Sequence, residues 1–392
     1  MCASAAPTLS TVNYVVLVPD GCADEPLPQL GERTPLQVAR MPHLAGWAAR
    51  AEVGRAAVIP AGLPPGSDVG NMAILGYDPA EFHTGRAPIE AAAMGVELAP
   101  DEVAFRCNLV SIDDAGTMVD FAGGHPSSAQ SHPIVDALNA ALGRGDVRFS
   151  PGVEYRHLLV VPRAYAGAEC VPPHDLTGRR AVLPTGPAAE KLLTLMEASK
   201  PVVRAAAAEV GSTATQIWLW GQGVRPALPA FRERYGIEAR MTSAVDLVRG
   251  LGVLSGIQVV DVPGATAGFD NDYVAQRDAC LASLEDRPLF VLHVEATDEA
   301  GHQGDVEEKV RALERWDSDI VGPLAGALQQ PYRVLMLPDH ATSCVSRTHT
   351  SEPVPYLLFD SEREGAGGTY DEAAVADAPV VAAHELMPRL VG

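Results

Sequence analysis

Carboxylates and imidazoles crowd into two short stretches, V-E-A-T-D-E-A-G-H at 294–302 and L-P-D-H-A-T-S-C-V-S-R-T-H at 337–349, in a chain with only 11 His. Asp298 and His302 stand four apart, so on a helix both project from one face and could grip one ion. Asp339 and His340 are adjacent, and His349 follows. Each stretch comes after an apolar run, P-L-F-V-L-H-V at 288–294 and R-V-L-M-L at 333–337, the pattern of a buried strand. Ligands in open α/β sheets bind at the carboxyl ends of such strands. Either stretch alone also reads as a surface ion pair or an ordinary polar loop; together, both behind apolar strands, they read as a metal centre.

Two further residues fit that chemistry. Y-V-V-L-V at 14–18 ends in Pro19-Asp20-Gly21, which makes Asp20 a third strand-end carboxylate, although a cap or turn residue looks the same. A-G-L-P-P-G-S-D-V-G at 61–70 is a turn that delivers Ser67 to the start of a helix over 68–76. Serine there is the standard N-cap; beside metal ions the same hydroxyl is a nucleophile, with the helix N-terminus ready for a phosphoryl group.

The elements that position these residues alternate between strand and helix on both sides of a middle region. A helix opened by Thr34-Pro35 is predicted to run to about Arg50, with Pro at a first-turn position. Strands are predicted over 103–111, 154–161, 216–220 and 257–262, and helices over 187–199 and 244–251, with Pro201 interrupting the helical stretch that runs on to about Ala208. The pattern predicts an α/β fold with an inserted smaller domain: core over 12–85, insert over 86–210, core again over 211–392. The insert collects Arg86, Arg106, His125, Arg156, His157 and Asp175 near turns, with no metal-like spacing. Singly each reads as structural; as a group they would hold an anion.

Composition narrows the partners. Fifty acidic against 29 basic residues give a net charge of −21, which disfavours nucleic acid and anionic membrane surfaces. Only Lys191, Lys200 and Lys309 are lysines, so the remaining basic residues are arginines, suited to bidentate anion recognition. Six Cys (2, 22, 107, 170, 280 and 344) show no C-x-x-C spacing and are expected to be reduced thiols. No apolar run reaches membrane-span length, and the first dozen residues have neither a basic start nor a long apolar core; they are read as a disordered lead on a cytoplasmic protein, with which a homo-oligomer is compatible.

Taken in order, Asp20, Ser67, Asp298, His302, Asp339, His340 and His349 resemble the metal-site set of the alkaline phosphatase superfamily. The phrases PGSD (65–68), LGYDP (75–79), TGR (84–86), AFRCNL (104–109), PHD (173–175), WLWG (218–221), PGAT (263–266), ATDEAGH (296–302) and HTSEPVP (349–355) resemble its archaeal-type, cofactor-independent phosphoglycerate mutases, bacterial branch, over nearly the whole chain. The resemblance implies an alkaline-phosphatase-like core sheet flanked by helices. It implies one ion held by Asp298, His302 and His349, another surrounded by Asp20, Ser67, Asp339 and His340, and a phosphoserine on Ser67. Mn2+ or Zn2+ fits mixed imidazole and carboxylate donors better than Mg2+. The expected reaction interconverts 2- and 3-phosphoglycerate without bisphosphoglycerate, the insert closing over a small phosphorylated acid; the alternative is a homoserine-kinase-like or other phosphotransferase or phosphatase. One departure stands out: where relatives carry Lys, this chain has Gln276 after D-N-D-Y (270–273), which implies either altered substrate handling or a surface change.

Overall fold

A computed structural model describes residues 12–392; the expected N-terminal lead lies outside them. The chain divides into two compact units, Thr84–Ala227 and the remainder, formed by the segment ending at His83 together with Leu228–Gly392.

The larger unit is built on one eight-stranded sheet. Its centre is the strand Asn13–Pro19, paired in parallel with Leu289–Val294 on one side and Tyr332–Met336 on the other. Ala239–Thr242 extends the parallel set, while Val354–Asp360 adds antiparallel to Tyr332–Met336 and leads out to Glu52–Ala57 and Val380–Ala382. The apolar runs are buried along their length: Leu289–Val294 is buried at all six positions, as strands covered on both faces must be. Val15, Leu17, Phe290, Leu292, Val334 and Met336 pack with Trp47, Trp316 and Ile320 of the flanking helices in one core. Because the three central strands run in parallel and in register (Leu17 beside Leu292 and Met336), the residues after them, Asp20, Glu295 and Asp339-His340, emerge at one edge of the sheet.

The smaller unit is antiparallel. Glu102–Ile112 pairs with Arg156–Pro162 and with Gln216–Gly223, and Arg148–Ser150 and Met118–Asp120 complete five strands. The helices Ser128–Leu142 and Ala189–Val210 pack Ile134, Leu138, Leu192, Met196 and Val203 against Phe105, Leu109, Leu159 and Trp218.

Three expectations need correction. The insert extends to Ala227 rather than 210, because the strand at 216–223, read as core, pairs with Glu102–Ile112. The helix across Pro201 is continuous from Ala189 to Val210: the buried face of Met196, Ser199, Val203 and Ala207 holds it, and Ser199 Oγ donates to the Met196 carbonyl at 2.6 Å, so packing overrides the one lost backbone bond. Conversely, 35–50 breaks at Pro42 into Pro35–Val38 and Pro42–Ala48, with Thr34 and Gln37 forming a capping box on the first. Among the described residues no helix is long and apolar enough to cross a membrane.

Candidate active site

Ser67 is not a helix cap. It is the first residue of the helix Ser67–Ile74, whose N-cap position is taken by Gly66. Its Oγ lies 3.3 Å from His340 Nε2 instead. The approach depends on Gly70: a Cβ there would sit 1.9 Å from the Asp339 carbonyl oxygen, so only glycine lets the helix lie against that loop. One turn on from Ser67, Asn71 Nδ2 donates to Asp339 Oδ2 at 2.7 Å and to the Ser67 carbonyl at 3.0 Å, fixing the carboxylate relative to the serine. Gly21, at φ 60°, likewise leaves no room for a side chain between Thr342 and Asp298.

Proton positions follow from the partners. The Thr342 hydroxyl donates to Asp298 Oδ1, so it accepts from His340 Nδ1 at 3.1 Å. That leaves a bare lone pair on His340 Nε2, facing Ser67 Oγ, Asp20 Oδ1 at 3.6 Å and Asp339 Oδ2 at 3.6 Å. His302 Nδ1 donates to the Arg347 carbonyl at 3.0 Å and His349 Nδ1 to the Pro65 carbonyl at 3.4 Å. Their two Nε2 atoms therefore confront each other at 2.9 Å, with Asp298 at 3.3 Å and 3.5 Å. Lone pair against lone pair beside a carboxylate repels unless a cation or a proton lies between them, and backbone-anchored imidazoles are how proteins orient metal ligands.

The electrostatics agree. Asp20 and Asp339 are fully buried, and neither oxygen of Asp20 has a hydrogen-bond partner. Burial, and then Asp339, push Asp20 well above the usual carboxylate range; burial and Asp298 push Glu295 up to about 8. Asp298 raises His302 to about 9, a proton filling the place of a cation. Burial pushes His293 down to about 4 and His340 below its ordinary value, leaving both neutral. Charges this deep persist only when paired or metal-bound. Donor atoms of the kind that could hold a metal ion cluster here: Asp298, His340 and His349 in one candidate group and Asp20, Asp339 and His340 in another, with His302 Nε2 3.3 Å from Asp298 and Ser67 Oγ 3.3 Å from His340. His340 also lies near Asp298, with Nδ1 at 4.0 Å, but that nitrogen is engaged with Thr342.

Sequence reasoning missed several contributors. Asn71 and Thr342 act through partners far away in the chain; His293, whose Nε2 is 3.0 Å from Asp20 Oδ2, looks like a strand residue; Glu295 sits inside the stretch that first drew notice. Lys309, fully buried, donates to Asp24 at 2.9 Å and to the Ala23 and Thr342 carbonyls, tying the loop after Asp20 to the loop after His340. Gln276 is no surface change: it is buried, donates to the His293 carbonyl at 3.1 Å and accepts from Asn271 at 2.9 Å.

The smaller unit carries a cluster of opposite character. Arg86 and Arg106 lie over the Trp220 ring at 5.8 Å and 4.4 Å, both within ion-pair distance of Glu90. His174 meets Trp220 and Phe121 edge-on, His125 meets Phe121 and Tyr155, and Arg156 lies 5.3 Å over Tyr155. Asp175 is exposed, 3.7 Å from His174. Five of the six expected anion-binding residues thus share one aromatic neighbourhood. His157 does not: it is 2% exposed, and its Nδ1 accepts from Gly152 N at 3.0 Å. Burial pushes it down to about 3, which makes it a core residue rather than a ligand-facing one.

Comparison with known proteins accords with this arrangement. A family model described as 2,3-bisphosphoglycerate-independent phosphoglycerate mutase matches residues 48–208. Proteins bearing that name from Methanosarcina acetivorans and Methanothrix thermoacetophila are 43% and 45% identical, the first over 97% of this chain and 100% of its own, the second over 89% and 91%. The fold is shared with a solved Pyrococcus horikoshii protein (TM-score 0.82, 23% identity, 97% of this chain and 96% of that one). It is shared too with a cofactor-independent phosphoglycerate mutase of Thermoplasma acidophilum (0.64, 22%, 97% and 100%). With full-length relatives at that identity, the chain belongs to the 2,3-bisphosphoglycerate-independent phosphoglycerate mutase family.

Proposed function

We propose that this chain interconverts 2- and 3-phosphoglycerate without bisphosphoglycerate, with Ser67 carrying the phosphoryl group between the two hydroxyls. The observation that carries the reading is the Ser67 hydroxyl, at the first position of its helix and 3.3 Å from the unprotonated Nε2 of His340, in a chain whose full-length relatives bear the mutase name.

In the first half-reaction Ser67 Oγ forms a bond to phosphorus while the bond from phosphorus to the glycerate oxygen breaks, and the serine proton ends on the departing oxygen. The second half reverses this with the neighbouring hydroxyl as acceptor. When bound by Asp298, His302 and His349 and by Asp20, Asp339, His340 and Ser67, two divalent ions, Mn2+ or Zn2+ by donor type, supply charge stabilisation and a lowered serine pKa. The start of the helix Ser67–Ile74 would offer backbone N–H groups to a phosphoryl group on the serine. Asn71 keeps Asp339 in place, and Thr342 keeps the His340 lone pair turned inward. Arg86, Arg106, His125, Arg156 and Asp175 form the anion-binding group of the smaller unit. Arginines stacked on an indole keep their forks aligned for a carboxylate or phosphate.

The test is conversion of 3-phosphoglycerate by purified protein loaded with Mn2+ or Zn2+ and free of bisphosphoglycerate. Turnover that disappears in Ser67→Ala supports the reading; full activity in that variant would falsify the serine mechanism, and no turnover with either ion would remove the substrate assignment.

A further inference from the structure

Of the three lysines only Lys309 is wholly buried. Its side chain and that of Asp24 are both 0% exposed, and Nζ donates to Asp24 Oδ2 at 2.9 Å, to the Ala23 carbonyl at 3.2 Å and to the Thr342 carbonyl. All three ammonium protons are thereby engaged. We propose that Lys309 is a positioning residue for the phosphoryl-transfer centre: it holds the segment after Asp20 and the segment after His340 at one fixed offset, so that both side chains meet beside Ser67. The inference rests on the reading of Asp20, Asp339 and His340 as an ion site and assigns the residue that keeps that site in shape.

Each partner of the lysine is itself tied to the opposite segment. The Ala23 carbonyl also accepts from Thr342 N at 3.1 Å, and the Asp24 carboxylate accepts from Cys344 N at 3.2 Å. Thr342 stands two residues after His340; its hydroxyl accepts from His340 Nδ1 and donates to Asp298. Gly21, next to Asp20, donates its N–H to Asp339 Oδ1 at 3.4 Å. A shift of either segment therefore reaches Asp20, Asp339, His340 and Asp298 together. The lysine comes from a third place, the helix Val306–Arg315, which packs against Ala296–Gln303, the helix of Asp298 and His302. One side chain thus references both strand-end segments to the helix pair that carries the remaining candidate ligands.

Stability does not explain the choice of residue. A buried ion pair loses to desolvation much of what it gains in attraction, and apolar side chains of similar volume often hold a fold as well. Apolar side chains cannot, however, fix two carbonyl oxygens and a carboxylate within hydrogen-bonding distance of one atom. A misplacement of about 1 Å at a reacting centre costs about 100-fold in rate, which is the scale on which such a clamp matters.

The rival is a structural role alone, and two variants separate it from positioning. Lys309→Met keeps the stem and removes the three donors, but it strands the Asp24 carboxylate; Lys309→Met combined with Asp24→Asn removes both charges. In the double variant the melting temperature should return to near the wild-type value. Its affinity for Mn2+ or Zn2+, measured by competition with a chelator, should stay about 10- to 100-fold weaker, and kcat about 100-fold lower with KM within about threefold. Recovery of metal affinity and kcat along with the melting temperature overturns the proposal. If the double variant does not fold, Asp24→Asn alone decides, because Lys309 still grips both carbonyls there. Its affinity should stay within about threefold of wild type although the melting temperature drops, and a loss of about 10-fold or more overturns the proposal. Mutase turnover of the wild type is assayed in parallel: no turnover with the affinity difference intact removes only the substrate reading, while affinity recovered beside an active wild type removes only this proposal.

Discussion

The two units handle charge in opposite ways. In the larger one, carboxylates and bare imidazole nitrogens meet at the ends of parallel strands, buried and mutually repulsive until something positive is added. In the smaller one, guanidinium groups lie over aromatic rings, Arg86 still half-buried, with Arg86 and Arg106 near Glu90. On the proposed reading the first recruits cations and the second recruits anions. On that reading, a chain with a net charge of −21 uses both devices to collect a phosphorylated acid. The contrast implies that substitutions in one unit change metal content and in the other substrate affinity, with little crossover.

Removing the nucleophile is the largest expected effect: Ser67→Ala should lower kcat by at least about 10^4-fold, in line with nucleophile deletions elsewhere, while retaining most of its metal in elemental analysis. Thr342→Val comes next. It removes the acceptor that fixes the His340 tautomer, and metal affinity measured by competition with a chelator should fall about 10- to 100-fold. Arg86→Ala should raise KM about tenfold and leave the metal content unchanged; loss of metal in this variant would break the division of labour. The smallest effect concerns pH and stability alone. His157 has its pKa depressed on folding to about 3 from an unfolded value of about 6.5, so the native state favours the neutral ring. Its contribution is present above about pH 6.5 and is lost as pH falls towards 3. In thermal melts His157→Gln should flatten that part of the pH profile, the amide oxygen still accepting from Gly152; an unchanged slope contradicts the assignment.

Much of the candidate metal cluster was legible because the residues proposed as its ligands sit where sequence periodicity is most informative. The i, i+4 pair Asp298 and His302 declares a helix face, and Asp339-His340 directly follows a buried run. Glu295, His293, Asn71 and Thr342 were not legible, since their roles come from apposition of segments remote in sequence: Asn71 and Asp339 are 268 positions apart. His157 misled for the converse reason, because nothing local distinguishes an imidazole accepting a backbone N–H in the core from one aimed at a ligand. The alternating architecture was readable from the strand runs. The end of the insert was not, as Gln216–Gly223 looks like any buried strand and only its pairing with Glu102–Ile112 assigns it to the smaller unit. Pro201 shows packing overruling a local breaker, and Pro42 shows a breaker prevailing in a shorter element.

The central claim is that Ser67 accepts the phosphoryl group. Rapid acid quench of metal-loaded protein mixed with 3-phosphoglycerate, followed by peptide mass mapping, tests it most directly. Phosphate on the peptide containing Ser67, formed within one turnover and discharged as 2-phosphoglycerate appears, is the predicted result; turnover with that peptide unmodified at every time point would contradict it.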